Sequence, residues 1–129
     1  MASPPIGPRA HGAIDYGFVA LQALAPSLFN LHGPARTLCY AFAGTQGLLN
    51  TLTDQPLALR RVVPFRVHGQ VETPFLPALL VLPWLTGALK QPNARRYFVS
   101  FFAVALTNYL LTDYRAMEKP AQRAGKRIC

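Results

Sequence analysis

The sequence predicts an all-α protein, a four-transmembrane-helix bundle made of two tandem helical-hairpin repeats. Three observations predict it. Four long runs, Tyr16–Ala35, Thr37–Thr53, Thr73–Leu89 and Tyr97–Thr112, contain no Asp, Glu, Lys or Arg. Each is close to the roughly 17–25 residues that carry a helix across a bilayer's hydrocarbon core. Residues that favour turns separate the runs, and R-A-H-G-A-I-D at Arg9–Asp15 returns 57 residues later as R-V-H-G-Q-V-E at Arg66–Glu72.

The bulk composition agrees. A chain of 129 residues is one domain at most. It is 51% hydrophobic and 14% charged, against roughly 25% charged for an ordinary soluble domain. Lys plus Arg number 13 and Asp plus Glu 5, a net charge of +8. Such a balance can mark a nucleic-acid binder. Here the bases flank uncharged runs, so nucleic acid is not an expected partner. A helix at the surface of a soluble bundle shows a polar stripe every 3.6 residues. These runs read as apolar all round, with scattered Gly, Ser, Thr and Asn. The first is not a cleaved leader, because Pro26 follows the Ala23–Ala25 stretch. Cys39 lies inside the second run and Cys129 is the last residue, so no disulfide framework is expected.

The elements follow in order. Residues 1–9 form a Pro-rich tail. Helix 1 is expected from about His11 to Asn30, with Pro26 bending or ending it. Gly33 and Pro34 make the next turn, and helix 2 runs from about Ala35 to Thr53. A link, residues 55–66, separates repeat 1 (10–54) from repeat 2 (67–114). In the third helix, Thr73 precedes Pro74, and a residue before Pro avoids helical geometry. His68–Glu72 is therefore expected as a separate turn before a helix that begins at Pro74 and ends near Leu89. Lys90–Asn93 is a turn, helix 4 spans about Ala94 to Tyr114, and 115–129 is a basic tail.

Lys and Arg orient the bundle. Nine lie in the N-terminal segment, the middle link and the tail, and four in the two short turns. The positive-inside rule then places both termini on the cytoplasmic side of a bacterial inner membrane. The bilayer is an expected partner, and anionic lipid head groups are expected at the C-terminal tail.

The echo extends along both halves. Pro26 matches Pro83, Ala35-Arg36 matches Ala94-Arg95, and Leu52–Asp54 matches Leu111–Asp113. Two crossings per repeat return the chain to its starting side. The halves should therefore be related by a pseudo-twofold along the membrane normal. A His-acid pair opens each odd helix and a Thr-Asp pair closes each even one. His11, Asp15, Thr53, Asp54, His68, Glu72, Thr112 and Asp113 thus form one polar layer at one end, with Arg9, Arg60, Arg61 and Arg66 as its cations. Four of the five acids in the chain belong to it.

The motifs resemble those of the SPW-repeat family of small bacterial membrane proteins. They are His11-Gly12 with Asp15-Tyr16, Thr53-Asp54, the link Pro56–Gly69, and Pro83-Trp84. The family's Ser-Pro-Trp reads Leu82-Pro83-Trp84 here, Pro26-Ser27 lacks the Trp, and Glu72 stands where Asp is usual. The resemblance implies paired membrane helices and no established activity.

Three uses of the layer are open to these residue types. It can hold helices together through His-carboxylate and Arg-carboxylate pairs. It can relay protons or gate an ion path. It can bind a divalent metal through His11, Asp15, His68 and Glu72, which sit at His-x-x-x-acid spacing on one helix face. No Ser-His-Asp or Cys-His spacing supports nucleophilic catalysis, so no catalytic residues are expected. The expected role is a small structural or accessory membrane protein, docking on a larger membrane complex or on copies of itself. A small carrier or channel is the alternative, and a metal-binding membrane protein the third. No cofactor other than a divalent ion is expected.

Overall fold

A computed structural model describes residues 3–116. Among them are four α-helices and no strands: α1 (Pro8–Leu28), α2 (Pro34–Leu52), α3 (Phe65–Leu85) and α4 (Pro92–Leu111). A short 3-10 turn, Ala88–Lys90, links α3 to α4. Proline occupies the first turn of α1, α2 and α4. There its missing N–H is not needed and its fixed φ already suits a helix. The all-α expectation and the four helices hold.

Two expectations fail. α3 is one continuous helix from Phe65, so His68–Glu72 is its second turn and not a separate element. Pro74 does remove one backbone donor. The hydroxyl of Thr73 donates to Gly69 O at 3.0 Å and ties the interrupted turn back to the helix.

The second failure is the membrane. No helix of the described residues is long and apolar enough to cross one. The helices have 19 to 21 residues, so length is not the obstacle. The charge-free runs are diluted by Gly, Thr, Gln, Asn, Ser and Pro, and the N-terminal halves of the helices bring in Arg9, Asp15, Arg36, Arg66, Glu72, Arg95 and Arg96. Mean hydropathy over the chain is only +0.20. A run without charge is not thereby apolar. The transmembrane assignment and the inner-membrane location with its cytoplasmic termini are therefore withdrawn. Residues 117–129, which hold most of the tail expected to meet anionic lipid, lie outside the described residues.

The core runs through Phe18, Cys39, Phe42, Leu79, Phe98 and Phe101, all buried. Phe98 and Phe101 are thus packing residues. Burial pushes the Cys39 thiol up to about 12, so it behaves as a small apolar side chain. Trp84 is 67% exposed, whereas Tyr97 is buried.

The internal duplication is visible in three dimensions. Ile6 N donates to Leu111 O at 3.0 Å and Asp113 N donates to Ile6 O at 2.8 Å. The equivalent residues of the other half do the same: Val63 N to Leu52 O at 2.8 Å, and Asp54 N to Val63 O at 2.6 Å. The segment before α1 is clasped to the end of α4, just as the segment before α3 is clasped to the end of α2. Each half supplies one side of both clasps, so equivalent residues of the two sequence repeats make equivalent hydrogen bonds.

Candidate metal centre

The clasps set the histidines. His11 and His68 lie in the second turns of α1 and α3, pointing inward where the ends of α4 and α2 meet them. His11 Nδ1 lies 2.8 Å from Thr112 Oγ1, and His68 Nδ1 lies 2.7 Å from Thr53 Oγ1. Each hydroxyl gives its single hydrogen to a helix carbonyl, Thr112 to Asn108 O and Thr53 to Leu49 O, both at 2.6 Å. Toward the imidazole each threonine can only accept. Nδ1 is therefore the protonated nitrogen of both rings, and both Nε2 atoms face the interior.

Four donor atoms converge there. His11 Nε2 and His68 Nε2 are 3.3 Å apart. Asp15 Oδ2 lies 3.2 Å from the first and 3.0 Å from the second. Glu72 Oε1 lies 3.3 Å and 3.1 Å from the same two nitrogens. All four atoms fall within 4.8 Å of one another. The side chains of His11, Asp15 and His68 are fully buried, and Glu72 retains 11% exposure. These four residues could hold a metal ion.

The outer atoms of the carboxylates are also engaged. Asp15 Oδ1 accepts from Gln46 Nε2 at 3.4 Å, and Gln46 Oε1 accepts from Gln22 Nε2 at 2.7 Å. Glu72 Oε2 accepts from the Tyr114 hydroxyl. Each of the four converging residues thus has a second partner that fixes its orientation.

Electrostatics follow from burial. Desolvation alone would lower the basicity of His11, but the hydrogen bonds it donates to Asp15 and Glu72 outweigh it and hold its pKa at about 9. His68 is raised by the same contest. Burial would raise the Glu72 pKa, yet hydrogen bonds to His11 and His68 hold it well below the usual carboxylate range. Burial, reinforced by neighbouring Glu72, pushes the Tyr114 pKa up, so the phenol remains a donor.

No protein family model, curated protein or solved structure matches this chain. The site must be read from its own residues.

The layer expected from the sequence divides in two. His11, Asp15, His68 and Glu72 come together, with Thr53 and Thr112 behind the imidazoles. Asp54 and Asp113 do not enter the cluster: Asp54 pairs at the surface with Arg61 at 3.8 Å, and Asp113 accepts from Arg115 N at 3.1 Å in a turn. Arg9, Arg60, Arg61 and Arg66 are all exposed.

Gln46, Gln22 and Tyr114 carry parts that their sequence context does not announce. Gln55 is a further case. A Cβ on Gly12 would meet Gln55 Cδ at 2.7 Å, and a Cβ on Gly69 would meet Tyr114 Cδ1 at 2.7 Å. Gln55 and Tyr114 each follow a clasp threonine by two residues, so they are equivalents. The glycine of each His-Gly pair exists to let that side chain lie across the helix. A search for repeated identities passes over a Gln matched to a Tyr.

Proposed function

We propose that this chain is a metal-binding helical module whose two halves are joined by a single first-row divalent ion, zinc before others. The carrying observation is the four-atom constellation. Bonds of about 2.0 Å to a tetrahedrally held ion put its ligands roughly 3.3 Å apart. Five of the separations here are 3.0–3.3 Å. Two nitrogens and two oxygens suit a borderline ion such as Zn2+. Imidazoles that donate Nδ1–H to a fixed oxygen, with carboxylates held by their outer atoms, are what ligand positions require.

Charge supports the same reading. With both imidazoles neutral, the pocket would bury two negative charges, an arrangement costing several kcal/mol per ion if uncompensated. A divalent cation cancels both. Glu72, the partly exposed member, borders a cavity of about 320 Å³ with Thr45, Gln46 and Leu49.

A second reading is metal-free. Two protons, one on each Nε2, would also cancel the carboxylates, and the raised basicity of both histidines favours it. Its cost is two N–H groups aimed into the same space from nitrogens 3.3 Å apart.

Metal analysis of the full chain, stripped with chelator and dialysed against Zn2+, separates the two. The proposal expects about one equivalent retained, lost in the His11→Ala, His68→Ala double variant. Co2+ loading adds a readout of geometry, because tetrahedral Co2+ absorbs visible light far more strongly than octahedral Co2+. A chain that retains no ion and shows no Co2+ spectrum leaves the metal-free quartet standing.

A further inference from the structure

The seam between α1 and α4 holds a groove of about 630 Å³, within the roughly 300–1,000 Å³ of small-molecule sites. Phe18, Leu21 and Leu28 form one wall, and Phe101 and Val104 the other. Arg96 and Asn30 stand at one end. Leu28 is 64% and Val104 55% exposed, so the walls are open to a ligand.

The groove has a cause in the broken symmetry of the duplication. The pseudo-twofold carries the α1–α4 seam onto the α2–α3 seam. There the 3-10 turn Ala88–Lys90 packs against α2 as well as α3 and α4, with Ala88 fully buried. The first hairpin's turn is shorter and holds no such helix. Its seam stays open where the other is capped.

Charge selects the occupant. The described acids, Asp15, Asp54, Glu72 and Asp113, all lie at the opposite end of the bundle, near the metal centre. At the groove's end the cations stand without acids. Arg36 lies over the Tyr40 ring, 5.7 Å from its centroid, and Arg95 Nη1 donates to Leu89 O at 3.3 Å. The Arg96 guanidinium has no ion-pair partner among the described residues. An apolar chain ending in an anion matches the walls and the end at once, and a guanidinium grips a planar carboxylate with two parallel hydrogen bonds.

We propose that the α1–α4 groove binds a single-chain aliphatic carboxylate. Its chain lies along Phe18, Leu21 and Phe101 and its head group on Arg96. This site is separate from the metal centre and does not depend on it.

Calorimetric titration of the full chain tests it. The probes are decanoate and, as a cation of equal chain length, decyltrimethylammonium, both below their micelle concentrations. The variants are Arg96→Gln and Val104→Trp, the second filling the groove from an exposed position. Wild type should bind about one decanoate. R96Q should weaken decanoate by roughly tenfold, the worth of one charge-assisted pair, and leave the cation unchanged. V104W should abolish both. Thermal melts of the variants establish that each is folded. The proposal is overturned if wild type shows no saturable decanoate binding, or if R96Q binds decanoate as wild type does. It is also overturned if sedimentation shows a wild-type dimer that V104W dissociates while decanoate has no effect.

Discussion

His11 and His68 face each other with their Nε2 atoms 3.3 Å apart, each ring pinned from behind by a threonine of the other half. Nothing local to either hairpin makes this arrangement. His11 belongs to the first repeat and its threonine, Thr112, closes the second; His68 belongs to the second and Thr53 closes the first. The site is therefore a property of both halves together. A single hairpin carries one His-acid pair and no partner for its Nδ1.

Replacing Thr53 by Val tests the pinning. The variant keeps shape but removes the acceptor, leaving a buried Nδ1–H unsatisfied at a cost of about 1–3 kcal/mol. If His68 is a ligand, zinc affinity should also fall by roughly 10–100-fold, as it does when such outer partners are lost. Thr53→Ser should restore both. Thr112→Val should reproduce the effect through His11. Competition against a chelating dye reads affinity and chemical denaturation reads stability. Unchanged zinc affinity in both Val variants would remove the imidazoles from the coordination sphere.

The two glycines carry the second expectation. Gly12→Ala and Gly69→Ala each drive a methyl into a packed neighbour, the Gln55 side chain or the Tyr114 ring, closer than ordinary van der Waals contact. Overpacking of this kind costs about 1–3 kcal/mol. Gly69→Ala should do more, because displacing Tyr114 also takes its hydroxyl from Glu72. Gly17→Ala is the control, since its Cβ would meet nothing within 4 Å. Urea midpoints measure all three. A G69A chain as stable as G17A would mean that Tyr114 is not held across the helix.

Much of this was legible in the chain, and for physical reasons. Spacing of 57 residues between His11 and His68 announced the duplication, and acids confined to repeated positions announced the cluster. Side chains four apart share a helix face, so the convergence of His11 with Asp15 and of His68 with Glu72 needed no structure. What could not be read was depth. Asp54 and Asp113 repeat as faithfully as Thr53 and Thr112, yet they sit one residue beyond and face outward. Alternation at the end of a helix decides which neighbour points in, and each clasp that sets it is a single bridged residue pair. The membrane assignment failed on a different quantity. It counted charges where hydropathy needed summing, and Gln22, Gln46, Asn50 and Asn108, all buried, are polar weight that a charge count does not see.

Cys39 gives a cleaner probe of the folded state. Its thiol is buried in the core, and burial holds its pKa at about 12. Reaction requires a thiolate and access. In a Cys129→Ser chain, a disulfide reagent at neutral pH should therefore label nothing until denaturant opens the core. The labelling rate should then follow the unfolding transition. Prompt labelling under native conditions would place Cys39 outside the core.

The pH dependence separates proton from metal. Without an ion, the folded-state pKa of His11 is raised to about 9 and that of His68 is raised with it. A raised group stabilises fully below its ordinary value, near 6.5, and the contribution disappears as pH climbs through the folded value. Glu72 is depressed, so its contribution is present above its ordinary value near 4.5 and disappears as pH falls through the folded value. The chelator-treated chain should thus be most stable between about pH 4.5 and 6.5 and lose stability as pH climbs from there to about 9. Zinc reverses the slope on the alkaline side. The ion must displace the Nε2 protons, so its affinity increases as pH approaches the histidine pKa. The rise in melting temperature on adding zinc should therefore grow from about pH 6 to about pH 8, as proton competition weakens. His68→Asn should flatten both profiles, because the asparagine neither titrates nor supplies an imidazole. Differential scanning calorimetry across that range, with chelator and with zinc, reads both. A zinc-induced shift of equal size at every pH would mean that the ion binds elsewhere and leaves His11 and His68 protonated.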